Sequence, residues 1–183
     1  MSESTAAKST DLTGIALRAL LLYALVEFQS GHATTIRITA ERNSFSISDD
    51  GRGHSLDRMV EGTPYLKFIY SHFDYPFDAG HALPVQLQGI GMSLVNSLCT
   101  DLDVTVRKRD ETLQLHFRDG KLDDSNRTKV ASGETGITVA GTINSQLSDV
   151  GVDEQRLRHW LLEVSTASPS LKLFFNGLAL KSQ

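Results

Sequence analysis

The chain has 183 residues, 40% hydrophobic and 22% charged, the composition of a globular protein long enough to bury a core. Its net charge of −4 gives no basis for nucleic-acid or membrane-surface binding. A lone cysteine, Cys99, excludes an internal disulfide and fits a reducing, cytoplasmic compartment, and the polar start MSESTAAKSTD lacks the apolar run of a secretion signal.

Residues 1–12 read as a loose polar tail, and 13–183 as a single domain. From Thr13 to Ser30 the pattern predicts a helix, with Thr13 as N-cap and Gly31 just past its end. The helix is apolar around most of its circumference, so it should lie against a sheet. Its longest apolar stretch, Ile15 to Phe28, carries Arg18 and Glu27 and is too short to cross a bilayer. TIRITA at 35–40 and SFSIS at 44–48 alternate as strands around a turn at 41–43. PYLKFIYSHF at 64–73 has helical apolar spacing, and DYPFDAGHALPVQLQ at 74–88, with two prolines, reads as a loop. GIGMSLVNSLC opens on a glycine pair and continues as a helix.

The rest reads as strand LDVTVRK, turn, strand TLQLHFR, turn DGK, a loop, strand GITVAGT and a helix near 153–167. A final hairpin, LKLFF–NG–LALKS, carries the favoured Asn176–Gly177 turn. The basic run RKR at 107–109 is read as a solvated strand end. Several neighbouring strands are hairpins, which predicts an α+β fold: a mixed, mostly antiparallel sheet with helices on one face.

Two short motifs carry the chemistry. DDGRG at 49–53 follows a strand, where a bland turn competes with a carboxylate placed to accept from an amino group beside glycines that admit a flat ring. LQGIGMS at 87–93 leads into a helix whose amides could meet an anion. Each is weak alone; together, about forty residues apart, they are specific. Other candidates fall away. Histidines 32, 54, 72, 81, 116 and 159 show no metal-ligand spacing, so no metal site is read. Ser93 lacks the setting of a nucleophile elbow. Trp160 with Leu157, Leu161 and Leu162 reads as a core stripe. The aromatic cluster Tyr65, Phe68, Tyr70, Phe73, Tyr75 and Phe77 is part core, part pocket cover or dimer contact.

The order of elements with DDGRG, GIGMSLVNSL, SGHATTIRI and ETGITV resembles the Bergerat-fold (GHKL) ATPase domain, most closely that of DNA gyrase B and its topoisomerase IV counterpart. The resemblance runs from about Thr13 to near the C-terminus. It implies a sheet of about eight strands and a site for an adenine nucleotide, ATP or ADP. Asp49 would accept the adenine amino group, with Gly51 and Gly53 beside the ring and Thr135 and Gly136 beyond it. Arg52 would cover the base and pair with Glu27. Gly89 and Gly91 would offer amides to the phosphates, and Ile90 between them would pack.

The departures bear on catalysis. Ungapped alignment through SGHATTIRI puts Ala19 where the family has its general-base glutamate and Tyr23 where it has its Mg²⁺-holding asparagine. No catalytic residue is therefore assigned, and Mg²⁺ lacks its ligand. Residues 74–88 hold no lysine but do hold Asp74 and Asp78. Three readings follow: a nucleotide-binding module with little or no hydrolysis, signalling to a protein partner or a second copy; an interaction scaffold that no longer binds nucleotide; or an active gyrase-type ATPase with its base supplied from elsewhere.

Overall fold

The computed structural model describes residues 10–71, 91–130 and 133–181. The chain begins with helix α1 (Leu12–Gln29), followed by strands β1 (Thr35–Glu41) and β2 (Ser44–Asp49). A small ribbon, β3 (Met59–Val60) and β4 (Thr63–Pro64), leads into helix α2 (Tyr65–Ser71). Helix α3 (Met92–Leu98) runs directly into β5 (Cys99–Arg107), then β6 (Glu111–Arg118), β7 (Lys121–Lys129) and β8 (Gly136–Ile143). Helix α4 (Glu154–Ala167) and the hairpin β9 (Lys172–Phe175), β10 (Leu178–Leu180) complete it.

Eight strands form one sheet in the order β10-β9-β1-β2-β8-β5-β6-β7. The β1–β9 pair is parallel and every other neighbouring pair is antiparallel. This is the mixed α+β sheet that the hairpin pattern predicts. Inward side chains line up across it: Ile38 opposite Ile47, Ile47 opposite Val139, Val139 opposite Val104, and Val104 opposite Leu115. With Leu17 and Leu21 of α1, Val95 of α3 and Leu161 of α4 they form one buried cluster. The other face carries Arg37, Thr39, Ser46 and Thr138, and among the described residues no helix packs on it.

Several boundaries differ from the sequence reading. Asp11, not Thr13, caps α1, accepting from the Gly14 amide at 2.7 Å. Thr13 is instead buried, its hydroxyl 3.3 Å from the Arg42 carbonyl. Thr10, placed in the tail by the sequence, is tied in through its carbonyl, which accepts from Ser148 Oγ at 2.7 Å. Helix α1 has 18 residues, the length that the pattern predicts, but begins and ends one residue earlier. Among the described residues it is the one helix long and apolar enough to cross a membrane, but it packs Ala16, Leu17, Leu20 and Leu21 into the core.

Strand β7 replaces an expected loop. KLDDSNRTK shows no alternation because it is an edge strand, exposed along nearly its whole length and paired only to β6. A charged edge of this kind resists pairing with other chains. Strands β3 and β4, of two residues each, are too short to show a period in the sequence.

The closing hairpin is pinned by its turn. Asn176 and Gly177 both have positive φ, 47° and 80°, as a two-residue type I′ turn demands. The Asn176 side chain also reaches β1, where its Oδ1 accepts from the Ala40 amide at 2.9 Å and its Nδ2 donates to the Ala40 carbonyl at 3.2 Å. It thereby adds a rung beyond the last β1–β9 pair. Asn176→Ala should lose about 2 kcal/mol in urea unfolding, from the unmet Ala40 amide and the left-handed backbone. Asn176→Gly, which keeps the turn but not the rung, should lose less.

Candidate functional site

The site begins with the alternation of β2. Phe45 and Ile47 point inward, so Asp49, two residues on and opposite Ile36 on β1, is carried to the same covered face. The neighbouring Asp50 faces the other way and serves the backbone. Its Oδ1 accepts from the amides of Thr34 and Thr35 at 2.7 and 2.9 Å, and its Oδ2 accepts from the Thr34 hydroxyl at 2.6 Å. Burial raises the Asp50 pKa, but those donors outweigh it and hold the carboxyl below its ordinary value. Asp49 goes the other way: burial, with the Glu27 charge adding to it, pushes its pKa up from 3.8 to about 6. Its protein donors include the Gly51 amide, 2.8 Å from Oδ1, and the nearby Ile137 amide. A carboxylate has about four lone-pair sites, so acceptor capacity remains.

The glycines around Asp49 are required by space. Gly136, the first residue of β8, has φ +134°, and a Cβ there would collide with the Asp49 carbonyl oxygen. Gly53 has φ +69°, and a Cβ would come within 3.0 Å of the Arg107 carbonyl. At Gly51 a Cβ would lie 2.8 Å from Asp49 Oδ1 and 3.0 Å from Glu27 Oε2. DDGRG is thus a turn that lets the chain pass close to a carboxylate pair.

Ionic contacts hold this turn in place. Arg52 grips Glu27 of α1 with two guanidinium bonds, Nη2 to Oε1 at 2.8 Å and Nε to Oε2 at 3.2 Å, and its own amide adds a third at 3.2 Å. The Arg52 hydrogen bonds hold Glu27 below its ordinary pKa against its burial, so it stays ionised. Lys108 is not a solvated strand end: its Nζ donates to the carbonyls of Arg52 and Gly53 at 2.9 and 3.1 Å. Arg107 likewise donates to Thr138 Oγ1 at 2.9 Å. Farther along the loop, Asp57 accepts from Arg127 of β7 at 2.8 Å, while the same guanidinium bonds Glu111 of β6 at 2.8 and 2.9 Å.

Beneath this turn lies a cavity of about 440 Å³, within the roughly 300–1,000 Å³ range of small-molecule sites. Asp49, Glu27, Arg52 and Gly53 line it, against an apolar wall that includes Leu20, Ile47, Met92, Ile137 and Val139. Tyr65 of α2 lines it too, with His54 edge-on at 5.7 Å and the Arg58 guanidinium 4.4 Å above its ring. Of the other residues singled out in the sequence, Gly51 and Gly136 back Asp49 from behind. Thr135 precedes Gly136 and is half-buried but does not line the cavity. Gly91 is the N-cap residue of α3, one residue before the lining Met92, and Gly89 and Ile90 lie outside the described residues. Tyr65 belongs to the aromatic cluster that the sequence reads as part core, part pocket cover or dimer contact, whereas Lys108, Glu111, Asp57 and Arg127 are not singled out there as site residues. Their partners are far away in the chain, 55 residues for Lys108–Gly53 and 70 for Arg127–Asp57, with no local spacing to reveal them.

On α1, Ala19 is buried in the core with 3% exposure, and Tyr23 lines the cavity one turn away. Burial, with Tyr65 adding to it, pushes the Tyr23 hydroxyl well above its ordinary pKa, so it stays protonated. A protonated phenol is not the hard anionic or carbonyl oxygen that Mg²⁺ prefers. Among the described residues no three His, Cys, Asp or Glu side chains gather as a metal site would require.

The chain is 28% identical over 163 residues to the B subunit of topoisomerase 4 from Pseudomonas aeruginosa, covering 81% of this chain and 25% of that protein. It is 31% identical over 180 residues to the Mycoplasma genitalium counterpart, covering 91% of this chain and 28% of that protein. With the B subunit of DNA gyrase from Micrococcus luteus it shares 27% identity over 154 residues, 80% of this chain and 21% of that protein. The chain therefore spans about a quarter of the length of the curated relatives it matches. No protein-family model matches it. The topoisomerase IV ATP-binding domain of Francisella tularensis, solved with a small-molecule inhibitor, superposes with a TM-score of 0.76 at 21% identity. That match covers 91% of this chain and 85% of that one, so the fold is shared.

Two outcomes test the account of Asp49. Its folded-state pKa lies above its unfolded value of 3.8, so its contribution to stability is present below about pH 4 and lost as the pH rises to about 6. Above that range the ionised carboxylate costs on the order of 2–3 kcal/mol. Asp49→Asn should therefore raise the unfolding midpoint at pH 7.5 and change it little at pH 4, as read by thermal melts. Equal effects at both pH values would contradict this. Gly136→Ala should lower stability by more than about 3 kcal/mol in the same assay, because β2 and β8 must separate to admit the methyl group.

Proposed function

We propose that this chain, a Bergerat-fold domain related to the ATP-binding domains of gyrase B and topoisomerase IV, binds an adenine nucleotide, ATP or ADP, with little or no hydrolysis. The observation that carries this reading is Asp49. A carboxylate on the covered face of a sheet, above an apolar cavity, is unfavourable unless something donates to it. The amino group of an adenine is such a donor, and the cavity wall offers apolar contact to a flat ring. Arg52, fixed by Glu27, stands at the mouth, where a planar guanidinium can lie over the base.

The catalytic end supports binding more than turnover. Position 19 holds an alanine, so no proton acceptor stands where the related domains are expected to place their base. The loss of an oriented base removes roughly 10²–10⁴-fold of rate. Tyr23 offers Mg²⁺ a poor ligand, so charge stabilisation on the phosphoryl oxygens is weakened as well. The domain then uses the nucleotide as a ligand that reports to a partner protein or a second copy.

Calorimetric titration of the full chain with ADP and with a non-hydrolysable ATP analogue, each with and without Mg²⁺, tests this. The expected result is binding indifferent to Mg²⁺ and lost in Asp49→Asn, where an NH₂ donor would meet the incoming amino group. Strictly Mg²⁺-dependent binding of the analogue would restore the active-ATPase reading. No heat and no thermal stabilisation at millimolar nucleotide would leave an interaction scaffold.

A further inference from the structure

Between Gly53 and Arg58 the wall of the cavity is a loop, and the protein fastens it at three points. At its start the Lys108 ammonium holds the Arg52 and Gly53 carbonyls at 2.9 and 3.1 Å. At its end the Tyr65 amide donates to the Arg58 carbonyl at 2.9 Å, and the Arg58 guanidinium lies 4.4 Å over the Tyr65 ring. Between these, Leu56 is half-buried against the core, while Asp57 beside it is exposed and reaches Arg127 of β7. That middle tie is built by the sheet. Glu111 shares the inward alternation of Leu113, Leu115 and Phe117 along β6, and Arg127 pairs opposite Leu113, which sets Glu111 and Arg127 diagonally on one face. Glu111 takes Nε and Nη2 of the guanidinium at 2.8 and 2.9 Å, a bidentate grip that leaves Nη1 to reach Asp57 Oδ1 at 2.8 Å. Leu56, Asp57 and Glu111 line the cavity, and Arg127 does not.

We infer that Arg127 is a positioning residue for the cavity's ligand: it holds the loop 54–58 in place as a wall and so sets how fast the ligand enters and leaves. The ligand half of this rests on the adenine reading of Asp49 given above; the hold on the loop does not. Elsewhere the wall is sheet and helix, with Leu20, Ile47, Ile137 and Val139, and it moves only with the fold. The loop is the part that can open by itself. The Arg127 and Asp57 side chains are 41% and 78% exposed, so their pair adds little to global stability. It fixes where the loop sits without making the loop part of the core. Salt screens such a pair. A lysine at position 127 could not replace it, because a single ammonium lacks the fork that grips Glu111 and still reaches Asp57.

Two assays on the full chain test this. Trypsin cleaves after Arg58 only when the loop leaves its place. Arg127→Ala should therefore speed that cleavage about threefold or more in low salt, with the thermal midpoint unchanged. On going from 0.1 M to 1 M salt the screening length falls from about 10 Å to about 3 Å, and the unaltered chain should approach the variant. Arg127→Lys should restore little of the protection. For the ligand, dissociation of N-methylanthraniloyl-ADP in stopped flow should quicken by a similar factor in Arg127→Ala, with association no slower. Cleavage after Arg58 left unchanged by Arg127→Ala, or raised by the same factor at both salt concentrations, would overturn the inference. So would faster cleavage with an unchanged dissociation rate. If the ADP analogue does not bind the unaltered chain, the adenine reading fails, and tryptic cleavage alone still decides whether Arg127 holds the loop.

Discussion

Strand alternation on β2 forces Asp49 onto the covered face of the sheet, and much of the molecule is arranged around that one carboxylate. Phe45 and Ile47 fix which face is inward, because a one-residue slip would expose both. Once they are buried, the next inward side chain is Asp49. The protein lowers the cost with the Gly51 amide and the nearby Ile137 amide but does not cancel it, and the pKa rises to about 6. Glu27 raises it further from across the turn. A core built only for stability would place an apolar residue at this position.

The same constraint explains the glycines and the cations. The chain must turn away from Asp49 immediately, and it must do so under α1 and over β8. Gly136 exists because the Asp49 carbonyl occupies the space a methyl group would need. Arg52 reaches back to Glu27 and so ties the turn to α1, and Lys108 caps two carbonyls that the turn leaves without partners in the sheet. The pair Asp49–Asp50 divides its work along the same line. One residue faces the cavity and titrates high; the other faces the Thr34–Thr35 backbone and titrates low.

Much of this is legible in the sequence, and the limits are physical. The alternating run SFSIS fixes β2 and, continued by two residues, the inward aspartate. The Asn-Gly pair fixes the closing hairpin because only residues tolerant of positive φ make that turn. What the sequence hides is of two kinds. Strand β7 and the ribbon β3–β4 carry no period, because an exposed edge has no buried face to alternate with. Lys108 and Arg127 look like surface charges, since their partners are backbone carbonyls or side chains brought near only by folding. The cap of α1 is Asp11 and not Thr13 for a related reason: Thr13 is one of the few polar residues that the fold buries.

The two ends of the cavity differ in what they ask of a ligand. Around Asp49 the protein has accepted a standing electrostatic cost that only a donor can relieve, which is the mark of a site rather than of packing. Toward α1 the opposite holds: Ala19 is packed into the core, and Tyr23 contributes a protonated phenol and a ring to the wall. A reaction at phosphorus needs charge stabilised as it develops, by groups already oriented and not otherwise engaged. Among the described residues Arg52 is engaged with Glu27, and Arg127 with Asp57 and Glu111. Ion pairs of this kind hold a loop in one conformation, and a ligand would be felt elsewhere in the fold only where it binds two conformations differently.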